Sequence, residues 1–391
     1  MNRATAQQRS AAGLLCAALA AASGAGAADP GNVLRAVKSG LGQDDVLLRF
    51  AAAPSLPVHV YRDPDKTRIG ATVLAMDVSA TTYTDPGAVP PAAGMRLFYE
   101  LQETTGTCPT CPLYESPRTA GAVAEPAITE TSGIAASLDH PGVLYLHNDS
   151  GDSARFFAVS DTGAALGELV LNGSPTARDW EGMSLGPCPA GRCVFIGDIG
   201  DNGASRSEYA VFRVDEPVVE VTAPIGTVMV DYERYPYVYP DGSHNAETLL
   251  VHPLTGDVYV ITKGGRTTPA RVYKMAAPLD PMTTATLEYL ADLPLPEFIP
   301  PPLPEDQVTG GDIHPCDSRL VLRTYAGIYE FRTPTTMPFE SVFTTADWNR
   351  VVYPDPRGQL QWEAVGWTGD GLGYVTVHEG SGPDIDVAGC Q

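Results

Sequence analysis

Positive charge, histidine and long apolar runs are all scarce in this chain of 391 residues. Only 25 Lys and Arg stand against 47 Asp and Glu, a net charge of −22. So acidic a surface repels nucleic acid and anionic membranes, and leaves soluble neutral or cationic partners. The seven histidines include none at ligand spacing, which disfavours zinc. Past the N-terminal segment no apolar run is long enough to span a bilayer, so no membrane insertion is expected. The sequence holds no Gly-x-Ser-x-Gly elbow, phosphate loop or His-Glu-x-x-His pair. Sets of Asp, His and Ser can be chosen from any chain this long, so they do not make a serine hydrolase. A long stretch of helix formers with an apolar period of 3.6 is missing too.

What is present points to strands. Hydrophobic residues make up 43% of the chain and charged ones 18%, with 17 Tyr, 39 Gly and 35 Pro, the composition of a folded all-β protein with many turns. Residues 1–28 read as a signal peptide: Arg3 and Arg9 form a basic start, Ala11 to Ala22 an apolar segment, and Ala25-Gly26-Ala27-Ala28 a small-residue cleavage zone. Leu15 precedes Cys16 where a lipoprotein would have a small residue, which argues against lipidation. The expected location is periplasmic or secreted. Cleavage removes Arg3, Arg9 and no acid, so the mature charge falls from −22 to −24.

Cleavage also removes Cys16 and leaves six cysteines for an oxidising compartment. Cys108 and Cys111 share a Cys-Pro-Thr-Cys loop, Cys188 and Cys193 flank a turn between two strands, and by elimination Cys316 would pair with Cys390. Zinc is the rival reading of the short spacings. Disulfides are preferred because the pairs fall in separate repeats.

Residues 29–105 lack the repeat that follows. The succession "VYRDPD…TTYTDPG…RLFYELQ" resembles a fibronectin type III or immunoglobulin-like β-sandwich, a module that usually acts as a spacer or binding surface. Residues 106–125, rich in Pro, Thr and Gly, read as a linker. From residue 126 to 391 the chain repeats. The starts are "TSGIAAS" at Thr131, "WEGMSLG" at Trp180, "AETLLVHP" at Ala246, "GGDIHP" at Gly310 and "WEAVGWTG" at Trp362, roughly 50 to 65 residues apart. Each is followed by two further strand patterns, and four of the five by room for a fourth strand. That is a β-propeller of five blades, six if the linker hides a degenerate one. The last repeat lacks its outer strand, and a strand near Val123 to Ile128 is expected to fill that place. The Pro-rich stretch from Pro294 to Pro304 reads as a stiff connection.

The innermost strands of a propeller line its channel, so equivalent positions form a ring. Those positions here are Ser132, Glu181, Glu247, Gly311-Asp312 and Glu363, with Glu130, Asp179 and Asn245 beside them. The ends of the second strands add His147-Asn148-Asp149, Asp198, Asp201-Asn202, Lys263, Arg323 and His378-Glu379. Converging carboxylates repel unless a cation, a basic residue or protonation offsets them. Oxygen donors without cysteine suit a hard ion, Ca²⁺ above other divalent cations. The candidate metal ligands are therefore Asp149, Asp179, Glu181, Asp198, Asp201, Asn202, Asn245, Glu247, Asp312 and Glu363. "GDIGDNGASRSE" from Gly197 is similar to half of a calcium loop, although Asx-Gly clusters between strands are equally often self-capped turns. Trp180 and Trp362 read as core between blades.

The order "SG(I)…DWEG…GDIGDN…HNAE(T)LL…TGGDI…EAV…HEG" resembles exported bacterial propellers related to the SdiA-regulated and the phytase-like or esterase-like families, over roughly Glu125 to Gln391. The resemblance implies an acidic channel, often with bound calcium. Its chemically active relatives are phosphomonoesterases with several calcium ions and, more remotely, lactonase-type propellers with one divalent metal. The phosphate-cleaving relatives carry a denser Lys and Arg cluster, whereas here only Lys263 and Arg323 are apparent, which counts against phosphatase activity. The first expectation is a monomeric, calcium-containing propeller that binds a small-molecule or cell-surface ligand. The alternative is a metal-dependent hydrolase of phosphoesters, lactones or other esters. In it Glu181, Glu247 or Glu363 would act as ligand or base, and Lys263 or Arg323 would stabilise developing negative charge.

Overall fold

Alternating apolar runs of five to eight residues, broken by Gly, Pro and Asp, leave this chain little choice but strands. A computed structural model describes residues 111 and 113–390, apart from 190, 265–267, 294, 296–306, 316–318, 326, 333–338, 346 and 352–361; before residue 111 it describes only the backbone of six strands. Residues 1–28, Cys108, Cys316 and most of the Pro-rich stretch lie outside the described residues.

The chain divides into two compact units, residues 1–107 and 108–391. In the first, β1 (Arg35–Lys38), β2 (Val46–Arg49), β3 (Val58–Asp63), β4 (Val73–Val78), β5 (Thr82–Asp85) and β6 (Phe98–Glu103) form two antiparallel sheets, ordered β1-β2-β5 and β4-β3-β6.

The second unit is a five-bladed β-propeller. It begins with β7 (Arg118–Ala122) and blade 1, made of β8 (Thr131–Ala136), β9 (Val143–Asn148), β10 (Arg155–Ser160) and β11 (Ala165–Leu171). Blade 2 holds β12 (Trp180–Cys188), β13 (Gly191–Asp198), β14 (Tyr209–Asp215) and, after β15 (Gly226–Val230), β16 (Glu233–Val238). Blade 3 is β17 (Ala246–Val251), β18 (Val258–Thr262), β19 (Arg271–Met275) and, after β20 (Ala285–Thr286), β21 (Glu288–Asp292). Blade 4 is β22 (Val308–Ile313), β23 (Arg319–Thr324), β24 (Gly327–Arg332) and β25 (Asp347–Val351). Blade 5 is β26 (Trp362–Trp367), β27 (Tyr374–His378) and β28 (Asp384–Ala388), completed by β7. The innermost strands touch in sequence order and β26 touches β8, which closes the ring. Consecutive blades also clasp at the rim, where β15 runs parallel to β11 and β20 parallel to β16.

Each innermost strand is covered by blades on both sides, so β8, β17 and β26 are buried along their whole length. Trp180 and Trp362 are 2% and 1% exposed and fill the seams between blades. Trp180 packs among residues of blades 1 and 2, including Tyr145 and Phe212.

Two expectations are corrected by the closure of the ring. The strand that completes blade 5 is Arg118–Ala122, not Val123 to Ile128, so part of the supposed linker belongs to a blade. The Cys108/Cys111 and Cys316/Cys390 pairings give way to a disulfide between Cys111 and Cys390. The cause is nonlocal: β7 lies antiparallel to β28, and the bridge between Tyr114 and Cys390 carries that pairing back to Cys111. The bond spans 279 residues of chain, and restricting so long a loop in the unfolded state is worth roughly 2–5 kcal/mol. The expected Cys188–Cys193 bond is present across the β12–β13 turn. No helix among the described residues is long and apolar enough to cross a membrane.

Candidate functional site at the channel mouth

All five innermost strands share a backbone irregularity at their first turn. The pairing with the second strand slips after Thr131, Trp180, Ala246, Val308 and Trp362. A bulge leaves one residue out of the ladder and re-aims its side chain. The residues so placed are Ser132, Glu181, Glu247, Thr309 and Glu363. In blade 2 the slip also takes in Gly182, at φ +67°, where a Cβ would lie 2.6 Å from the Leu249 nitrogen, so only glycine allows blades 2 and 3 to approach there.

Three of these five residues are glutamates, 2%, 1% and 6% exposed, and one carboxylate oxygen from each lies within 4.8 Å of the other two. Glu181 accepts a hydrogen bond from the Ser132 hydroxyl of blade 1. Glu247 accepts from Lys263 Nζ at 2.8 Å and from Asn245 Nδ2 at 3.1 Å. Glu363 accepts from the Tyr325 hydroxyl at 2.9 Å. A second carboxylate set, Asp149, Asp179 and Glu181, shares Glu181 with the first.

Above the bulge residues lies an outer tier, the residue just past each second strand: Asp149, Ile199, Lys263, Tyr325 and Glu379. The Lys263 ammonium stands 5.4 Å from the centre of the Tyr325 ring. Among the described residues, six carboxylates (Asp149, Asp179, Glu181, Glu247, Glu363 and Glu379) thus meet the Lys263 amine, with Arg206 acting on Asp179 from behind. Two like charges about 4 Å apart repel by roughly 4 kcal/mol even at an effective dielectric of 20.

The titration behaviour follows from this crowding. Burial, then Glu247 and Asp149, raise Glu181 well above the carboxylate range. Burial raises Glu247 against the pull of Lys263, and burial with Glu379 pushes Glu363 up to about 7. Burial and the neighbouring Asp149 bring Asp179 up to about 6. Burial alone would lower the Lys263 ammonium, but Glu247 more than offsets it and holds the amine charged.

The donor set fits a hard cation. Oxygens bound to one calcium ion at 2.3–2.6 Å lie at most about 5 Å apart, and the three glutamate oxygens meet that condition. Among the described residues no sulfur or imidazole joins either carboxylate set.

Other sequence candidates are placed elsewhere. Asp198 holds Arg206 in an ion pair at 3.0 Å and accepts the Asp179 N–H at 3.1 Å. Asp201 accepts from the backbone of Ser205 and Arg206 and from the Tyr209 hydroxyl, and so builds the turn. Asn202 and the Asp201 N–H together orient the Asn245 amide that reaches Glu247. Gly200 lets this loop lie against Asp179, since a Cβ there would come within 2.5 Å of that carboxyl. The "GDIGDN" segment therefore acts as scaffold behind the mouth.

Asp312 does not occupy the ring position that its alignment with the glutamates implied. Thr309 does, and Asp312 lies three residues further along β22, opposite Val321. There its carboxylate accepts the Trp367 N–H at 3.0 Å, and burial pushes it up to about 7. Arg323 is 2% exposed in the seam between blades 4 and 5, stacked over Trp362 at 4.6 Å and donating to Thr376 Oγ1 at 2.8 Å. Sequence reasoning missed Tyr325 and Thr309. The signal available was position, because Tyr325 follows β23 as Lys263 follows β18.

No family model matches the chain, and no curated protein does. Among solved structures it is similar to a structural-genomics protein of unknown function from Bacteroides thetaiotaomicron, at 11% identity and a TM-score of 0.35, over 88% of this chain and 94% of that one. A gluconolactonase from Xanthomonas campestris matches at 13% identity and a TM-score of 0.36, over 72% of this chain and 97% of that one. An auxiliary nutrient binding protein from Bacteroides thetaiotaomicron matches at 8% identity and a TM-score of 0.37, over 88% and 94% respectively.

Proposed function

We propose that this propeller binds calcium on Glu181, Glu247 and Glu363 at its channel mouth and, through the ion and the rim amine of Lys263, holds a soluble oxygen-bearing ligand. The supporting observation is the convergence of three buried glutamates from three separate blades to within 4.8 Å, with one ammonium beside them. Nothing in the packing of a propeller calls for such a set. Without a cation the carboxyls relieve their repulsion by retaining protons, and a bound cation would take the place of those protons. Asp149 and Asp179 extend the donor set toward blade 1. Residues 1–28 direct the chain out of the cytoplasm, to the periplasm or beyond, and the first unit is a fibronectin-like sandwich that serves as spacer or second binding surface.

The deciding experiment is calcium titration calorimetry on the stripped mature protein, alongside melting curves with calcium and with chelator. Saturable binding that disappears in Glu247→Gln, with a calcium-dependent rise in melting temperature, is expected. Absence of both overturns the reading.

A second reading, a metal-dependent hydrolase, draws on the partly exposed Lys263 beside Glu247. When bound, the cation would polarise an ester or lactone oxygen and lower the pKa of water. Lys263 would supply positive charge to the developing oxyanion, while Tyr325 would fix Glu363. Arg323, closed in its seam, takes no part. A panel of lactones and phosphoesters tests this: chelator-sensitive turnover that Lys263→Met abolishes would establish it, and inactivity on the whole panel leaves binding as the function.

A further inference from the structure

Blade 2 also carries a site of the opposite sign. Between the loop that enters the blade, residues 172–179, and the loop that joins β13 to β14, residues 199–208, lies a cleft of about 650 Å³. Both loops stand on the mouth side, because β12 starts at Trp180 directly opposite Asp198, where β13 ends. The cleft is lined by three arginines (Arg178, Arg206 and Arg234), two acids (Asp198 and Glu208) and the ring of Phe212. In a chain with 25 basic residues against 47 acidic ones, three guanidinium groups around one cleft are not an accident of composition.

The two acids do not cancel them. Arg206 pairs with Asp198 at 3.0 Å and Arg234 with Glu208 at 2.8 Å, while Arg178 is exposed and has no acidic partner among the described residues. Arg206 is built in rather than draped over the surface. Its side chain is only 10% exposed, its Nη1 also donates to the Gly200 carbonyl at 2.8 Å, and its guanidinium lies 4.8 Å from the centre of the Tyr209 ring. The three guanidinium groups outnumber the two carboxylates on the cleft walls, which leaves the cleft a net positive charge for an anionic ligand.

We propose that this cleft binds a small organic oxyanion, a carboxylate or phosphate monoester. Arg206 is the fixed anchor, joined by Arg178 from the entering loop and Arg234 from β16. Guanidinium suits this task because its planar fork meets both oxygens of a carboxylate or phosphate at once. The site is distinct from the carboxylates of the channel mouth and does not depend on a cation there.

The test is titration calorimetry of the full mature chain with benzoate, phenyl phosphate and inorganic phosphate, each with calcium and with chelator. Saturable binding of benzoate or phenyl phosphate is expected with a Kd below about 1 mM, and the tighter of the two identifies the head group. Arg178→Gln and Arg234→Gln should each weaken it about tenfold while leaving the melting temperature unchanged. Chelation should alter the affinity less than about threefold, and Glu247→Gln should leave it intact. Binding that vanishes with chelator moves the anion to the channel mouth and overturns the proposal. Affinity unchanged from the parent in both arginine variants overturns it as well, as does the absence of saturable binding. Failure of calcium binding in Glu247→Gln, by contrast, bears only on the mouth.

Discussion

Blades 2, 3 and 5 and blades 1 and 4 share one backbone feature and differ in what they place on it. In every blade the innermost strand slips register at its first turn. In three blades that bulge carries a glutamate, and in two a hydroxyl that is spent inside the protein, from Ser132 to Glu181 and from Thr309 Oγ1 to the Trp362 carbonyl at 3.0 Å. The bulge belongs to the propeller, and the carboxylates do not. The outer tier is divided in the same way. Asp149 and Glu379 stand over blades 1 and 5, whereas Lys263 and Tyr325 stand over blades 3 and 4. The mouth is thus polarised across its axis, acidic on one side and capped by an amine on the other. Such an arrangement gives a ligand a defined orientation.

The strongest way to break this contrast is to exchange the two kinds of bulge residue. Glu181 belongs to both carboxylate sets, so Glu181→Ala should lower calcium affinity by about a hundredfold or more, measured by calorimetry. Ser132→Ala, at the equivalent position one blade earlier, should change it less than about fivefold. Similar losses in both would mean that the ring acts through packing rather than through its charges.

Next in size is the pH dependence of the protein stripped of calcium. Glu363 stands at about 7 when folded against an ordinary 4.5, and Asp179 at about 6 against 3.8. Between those values the folded chain keeps protons that the unfolded chain has released, so stability falls as pH rises. The loss from Glu363 is on the order of 3 kcal/mol, complete near pH 7. Melting curves with chelator should therefore show a more stable protein at pH 5 than at pH 7.5, and saturating calcium should remove the difference. Equal stability at both pH values with chelator would show that the carboxylates are not crowded in solution.

A smaller effect is expected from adding an acid where the ring has none. Thr309→Glu would place a fourth carboxylate on the same bulge, costing the stripped protein about 2 kcal/mol at pH 7.5 in chemical denaturation. Calcium should recover most of it. Unchanged stability would mean that the bulge of blade 4 does not face the other three.

Much of this contrast was legible in the sequence, and the part that was not has a common cause. The repeat starts at Thr131, Trp180, Ala246 and Trp362 coincide with the first residues of β8, β12, β17 and β26, because strand patterns and turn residues are local signals. Ring closure is not local. No spacing rule pairs Cys111 with a cysteine 279 residues away or assigns Arg118–Ala122 to the last blade. Bulges leave no mark in an alternating pattern, so "TGGDI" drew the eye to its acid and away from Thr309. Arg323 looked like a channel residue because it ends an apolar strand. It instead repeats the place of His147, which meets Trp180 across the seam between blades 1 and 2 as Arg323 meets Trp362 between blades 4 and 5.

The sharpest test of that distinction is also the one with the smallest expected effect. Asp312 is acidic, half-buried and on an innermost strand, everything the sequence asks of a ring ligand, but it lies past the bulge and belongs to neither carboxylate set. Its oxygen accepts the Trp367 N–H, and Ser184 hydrogen-bonds to it from blade 2. An asparagine can keep both contacts, with its carbonyl accepting and its amide donating. Asp312→Asn should therefore leave calcium affinity within about twofold, while Glu363→Gln in parallel lowers it at least tenfold. Because the folded Asp312 carboxyl is held up to about 7, the native chain loses stability as pH rises toward that value, and the amide does not. The variant should then match or exceed the parent in melting temperature at pH 8. A tenfold loss of calcium affinity in Asp312→Asn would place a ligand outside the bulge positions and dissolve the contrast between the blades.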